Sequence, residues 1–163
     1  MVEQKTIVNP EFDMVYQSTG WTCGPACILM ARLYFNESIP VENRGAEERR
    51  IWENTRTNRG KYVYTTHPRL ALALGDNYTT ELWHNKKDGF VYQLGSIKFW
   101  DFYARMKYYK KFREEAEQQG MKTVIRDFTA KDIAEKVNEG TIAILLTKLS
   151  DQSPVFHHRL LYA

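Results

Sequence analysis

The chain reads as an α+β protein, with helices first and strands later, the strands expected to form a mainly antiparallel sheet. Three observations predict this. An unbroken apolar segment beginning at Cys23 has helical character. Short β-branched and apolar runs gather toward the C-terminus. The regular alternation of strand and helix that a doubly wound sheet requires is absent.

The elements follow in order. Asn9-Pro10 punctuates a short extended start at residues 6–8, and a polar loop carries Gln17 to Cys23. Pro25 suits the first turn of a helix, where its missing N–H costs nothing, and Ala26, Cys27, Ile28, Met30, Ala31, Leu33, Tyr34 and Phe35 continue it without a breaker. After Pro40 a second helix is expected over 42–54. Residues 55–66 read as an extended loop with a possible strand fragment at 62–64. Pro68 then opens a compact helix at 69–74, and 78–83 reads as a strand.

Residues 85–89 carry a turn signal. Beyond it, 97–119 is the longest helix, closed by Gly120, with Phe99, Phe102, Met106, Tyr109 and Phe112 along one stripe. A short strand falls at 123–125. Thr129 and Asp132 have the spacing of a capped helix over 130–138, which Gly140 ends. Strands are expected at 141–146 and 156–162.

Composition bounds the rest. With 163 residues, 43% hydrophobic and 13% aromatic, the chain has single-domain size and enough apolar surface for a continuous core. No apolar run, that at 142–146 included, approaches the roughly 20 residues of a membrane span, and the first residues lack a secretory pattern. A cytoplasmic protein without membrane insertion is expected, its oligomeric state unspecified. The net charge of +3 is too small to argue for a nucleic-acid partner, and the basic cluster at 107–113 runs into Glu114, Glu115 and Glu117 as a solvated helix face does.

The chemistry gathers around one cysteine. Cys23 stands where the polar turn gives way to the apolar helix, and the unpartnered N–H groups of a helix start favour negative charge on sulfur there. Gln17, six residues upstream, brings an amide whose NH2 can point at an oxyanion forming on a substrate carbonyl. Trp21 and Gly24 flank the thiol as expected substrate contacts, Gly24 by leaving room for close approach. Cys27, one turn inside the helix, is read as core.

A nucleophilic cysteine needs a base, and the chain holds four histidines: His67, His84, His157 and His158. Strand alternation puts His158, Leu160 and Tyr162 on one face and His157, Arg159 and Leu161 on the other. The first face looks like the buried one, which favours His158, with His157 as the alternative. His67 is expected to cap the helix after it, and His84 sits at a strand end.

Together these residues resemble the papain-like cysteine peptidases that process bacteriocin leaders after a double glycine, and their stand-alone relatives. The resemblance is carried by Gln17 six before Cys23, the helix start Cys23-Gly24-Pro25-Ala26, and the strand opened by His158. Glu48 to Trp52 and Thr66 to Ala73 resemble an acidic-Trp segment and a Pro-then-Leu-Ala helix of the stand-alone branch. The resemblance implies a nucleophile helix packed on the sheet, a Cys23 thiolate attacking a peptide or small amide carbonyl, Gln17 in the oxyanion hole and His158 as acid and base. It calls for no cofactor or metal. In the family an Asp or Asn orienting the histidine lies after it, commonly just before a proline. Asp151 precedes His158, and the sequence ends at Ala163. The expectation is therefore one papain-like domain, 1–163, lacking its last strands.

Two further readings stay open on these residues. A non-catalytic member of the same fold would bind a peptide in the cleft. A zinc protein would use Cys23, Cys27, His157 and His158, although adjacent strand residues point to opposite faces.

Overall fold

A computed structural model describes residues 14–35, 37–56, 65–75, 78–84, 99–125, 127–148 and 156–161. The elements run α1 Cys23–Tyr34, α2 Val41–Thr55, α3 His67–Leu74, β1 Glu81–His84, α4 Phe99–Gln118, β2 Lys122–Ile125, α5 Ala130–Asn138, β3 Ala143–Lys148 and β4 Phe156–Leu161. The protein is α+β. The expected extended start at 6–8, the strand fragment at 62–64, the turn at 85–89 and position 162 lie outside the described residues.

Helix α1 is the centre. Most of its residues are buried, as a helix apolar on nearly all sides must be. It packs against α2, α3 and β4. Ile28, Leu29 and Leu33 form one core cluster with Ile51 of α2 and Leu70 of α3, and Val15, Ile39, Ala73, Leu74 and Ile144 close around it. By contrast α2 is polar and buries only Glu48, Ile51 and Thr55, a single stripe at helical spacing. It ends where Arg56 turns extended and bridges to Thr65. This brackets the expected 55–66 loop, of which 57–64 is outside the described residues.

Helix α3 starts one residue earlier than proline alone suggests. Thr66 is the N-cap residue, and His67 is the first helical residue, so His67 does not cap the helix from outside it. Gly75, at φ +76°, donates its N–H to Leu72 O at 3.1 Å and ends the helix. Gly120 and Gly140 hold positive φ after α4 and α5. Thr129 and Asp132 form the reciprocal capping box expected of them.

The sheet departs from expectation. Among the described residues there are two separate strand pairs, and β1 with β2 is parallel, from Glu81↔Lys122 to His84↔Ile125. A mainly antiparallel sheet is thus corrected to one parallel and one antiparallel pair. The reason is topological: parallel neighbours need a long crossover, and the 20-residue α4 lies between these two strands. Tyr109 and Phe112 of α4 are buried, as are Ala116, Ala71 and Leu82, which cluster beneath.

Strands β3 and β4 pair antiparallel, with Ile144 opposite Leu160, Leu146 opposite His158 and Thr147 opposite His157. Directly opposed residues share a face, and alternate residues return to it. Ile144 packs on the α1 cluster, and Leu160 is its partner in the register of β4. Leu161, on the other parity, is 40% exposed.

Candidate active site

The approach to α1 is a short braced loop. Thr22 N–H donates to Thr19 O at 3.5 Å, Thr19 N–H donates to Thr22 Oγ1 at 3.2 Å, and Trp21 N–H donates to Thr19 Oγ1 at 3.3 Å. The Thr22 hydroxyl is therefore committed to the loop and makes no side-chain cap on the helix. The helical ladder opens with Ala26 N–H on Thr22 O at 2.9 Å, and Pro25 brings no N–H of its own. Cys23, the first residue of α1, stands at this end and is half-buried.

Cys27 has a different environment. It is 2% exposed, and burial, reinforced by the proximity of Cys23, pushes its thiol up to about 12. A thiol held protonated in a packed core is a poor nucleophile. Both cysteines are free.

Gln17 is exposed at the start of the loop, and Trp21 is 69% exposed near its end. Between them the chain is tied to α2: Ser18 N–H donates to both carboxylate oxygens of Glu48, at 3.0 and 3.2 Å. Glu48 itself is 1% exposed. Sequence reasoning assigned this residue no role. The signal was its spacing, since 48, 51 and 55 recur at three and four and put an acid on the buried stripe of α2.

Gly24 serves packing. It is buried, and a Cβ placed there would lie 2.7 Å from Leu70 Cδ1 and 2.9 Å from Thr65 Oγ1. Its missing side chain makes room for α3, and not for a substrate chain in that direction.

The histidines separate by element. His67 opens α3 and His84 ends β1. His157 and His158 lie in β4, the strand that packs against α1, and position 158 falls on the parity of Leu160 and the core-packed Ile144. The helix of Cys23 and the strand of His158 are thus neighbours in the fold.

At the other end of α1, Arg32 pairs with Glu37 at 2.6 Å and with Glu47. Arg50 joins Glu47 at 2.5 Å, and Tyr78 Oη donates to Glu37 at 2.5 Å. The Arg50 bond and the Arg32 bond bring the Glu47 carboxyl down to about 2. This network borders an open hollow of about 420 Å³ lined by Arg32, Phe35, Glu37 and Tyr78. Arg32 is nine residues along from Cys23, or about 14 Å of helix rise. The hollow is therefore no part of the cysteine site.

Among the described residues no three His, Cys, Asp or Glu side chains gather in a way that holds a metal ion. No helix among them is long and apolar enough to cross a membrane.

A helix-borne cysteine thus follows an exposed glutamine, and a histidine-bearing strand packs on that helix. A model described as the Peptidase_C39 like family matches residues 12–153, and the chain belongs to that family. No curated protein and no solved structure matched the chain.

Proposed function

We propose that this protein is a cysteine peptidase-like hydrolase of papain-like fold, akin to the stand-alone relatives of bacteriocin-leader peptidases, cleaving a peptide or small amide bond. The observation that carries the reading is the placement of Cys23: half-buried, first in the central helix, and directly after the loop that begins at exposed Gln17. The inert environment of Cys27 and membership of the family support it.

In the proposed reaction the Cys23 thiolate adds to the carbonyl carbon, and the Gln17 amide donates a hydrogen bond to the oxyanion that forms. His158 takes the thiol proton and returns it to the leaving amine, which departs as the C–N bond breaks. Water, deprotonated by the same imidazole, then releases the acyl group and restores the thiol. Strand parity supports His158 over His157, because position 158 shares the face of Ile144, which packs on the α1 cluster.

The test is covalent. With p-nitrophenyl acetate, mass spectrometry is expected to find one acetyl group on Cys23 that disappears on standing, and none on the Cys23→Ala protein. A protein that binds peptides while Cys23 stays unacylated would be a non-catalytic member of the fold.

A further inference from the structure

We propose that Glu48 is a positioning residue for Gln17, holding the oxyanion loop against helix α2. The proposal rests on the reading of Cys23 and Gln17 given above.

A carboxylate with 1% exposure is costly to bury, and the usual compensation is a paired cation. Among the described residues no Lys, Arg or His forms an ion pair with Glu48. What it accepts is the Ser18 N–H, shared between its two oxygens at 3.0 and 3.2 Å. An apolar residue at this position would pack beside Ile51 with no desolvation cost. The acid instead reaches out of the core to the peptide group that follows Gln17.

The mechanics follow from where that bond lies. Gln17 is exposed, so no packed core around its side chain fixes it, and the place from which its amide can reach is set by the loop backbone. The Thr19–Thr22 hydrogen bonds brace the later half of the loop, and the Glu48–Ser18 bond ties the earlier half to a rigid helix. An oxyanion donor stabilises the transition state only when it is already in place as charge develops. Small displacements of such groups cost disproportionately in rate.

Two probes on the full chain separate positioning from general support of the fold. Acylation of Cys23 by p-nitrophenyl acetate passes through an oxyanion: the S–C bond forms and p-nitrophenolate leaves. Alkylation by iodoacetamide joins sulfur to a saturated carbon with loss of iodide and needs no oxyanion donor. Glu48→Gln keeps size but presents an NH2 where the carboxylate offered a second acceptor. It is expected to slow acylation by about ten-fold, short of the 10²- to 10³-fold that removal of a donor costs, with alkylation changed less than about two-fold. Glu48→Asp, which keeps the charge and withdraws it by one methylene, should show the same selective loss and serves as the test where Glu48→Gln reduces the folded fraction.

The double variant Gln17→Ala/Glu48→Gln is expected to acylate no more slowly than Gln17→Ala, because a positioning residue has nothing left to position. Equal losses with both probes, no loss with either, or losses that multiply in the double variant would overturn the proposal. If Gln17→Ala acylates at the wild-type rate, the oxyanion reading fails and this inference with it. A slowed Gln17→Ala beside an unaffected Glu48→Gln and Glu48→Asp overturns the role of Glu48 alone.

Discussion

Replacing Gly24 by alanine puts one methyl group into the contact between α1 and α3, and the structure sets the size of the effect. The new Cβ would stand 2.7 Å from Leu70 Cδ1 and 2.9 Å from Thr65 Oγ1, both inside any normal contact distance. Leu70 is only 3% exposed and belongs to the main core cluster, so its side chain has little free space to move into. Overpacking of this kind costs about 1–3 kcal/mol. Opposing it, Gly to Ala gains at most about 1 kcal/mol of helix propensity, and less in a first turn. The net expectation is a loss of about 1–2 kcal/mol, or roughly 3–6 °C in melting temperature for a chain of this size. Gly45 of α2 is the control, because a Cβ there meets nothing within 4 Å. Gly45→Ala should gain about 0.5–1 kcal/mol. Urea unfolding followed by circular dichroism reads both at once. A Gly24→Ala midpoint equal to or above wild type, with unchanged slope, would show that α3 does not press on the N-terminal end of α1 as described.

Three other outcomes are expected. Cys27→Ala should lower stability by about 1–2 kcal/mol through lost core contacts and leave Cys23 acylation intact, whereas Cys23→Ala should remove acylation with little change in the unfolding midpoint. Gln17→Ala should slow acylation of Cys23 by about 10²- to 10³-fold while leaving iodoacetamide alkylation near wild type, as stopped-flow release of p-nitrophenolate will show. Glu47, brought from 4.5 to about 2 by its bonds to Arg50 and Arg32, contributes stability that is full above its unfolded value and lost as pH falls from about 4.5 toward 2. Allowing for the exposure of Arg50, the loss should be about 1–2 kcal/mol, and Glu47→Gln should flatten that part of the stability–pH curve.

Much of the fold is legible locally. Pro25 and the apolar run behind it mark α1, Thr129 with Asp132 marks the start of α5, and Gly120 and Gly140 mark helix ends by the positive φ that glycine permits. The parallel pairing of β1 with β2 is not legible in the strands, each only four residues long with no signature of its partner. The intervening long helix was the available cue. At the site, Cys23 and Gln17 stand out because their neighbours change character around them. Glu48 does not, because it sits in the charged run from Glu47 to Arg50 and looks solvated until Ile51 and Thr55 reveal the buried stripe. Gly24 follows a related rule: a glycine announces close approach, but the sequence does not say of what, and the structure puts Leu70 and Thr65 beside it.

The central claim is that Cys23 is a nucleophile served by His158, and competitive alkylation tests it most directly. The full chain is treated with limiting iodoacetamide at pH 7, and peptide mass spectrometry counts label on each cysteine with time. Cys23 is expected to react at least about a hundred-fold faster than Cys27, whose thiol burial holds near 12. His158→Ala should slow Cys23 alkylation several-fold, and His157→Ala should leave it unchanged. Equal labelling of the two cysteines would remove Cys23 as the nucleophile, and a slowing seen only in His157→Ala would assign the base to the opposite face of β4.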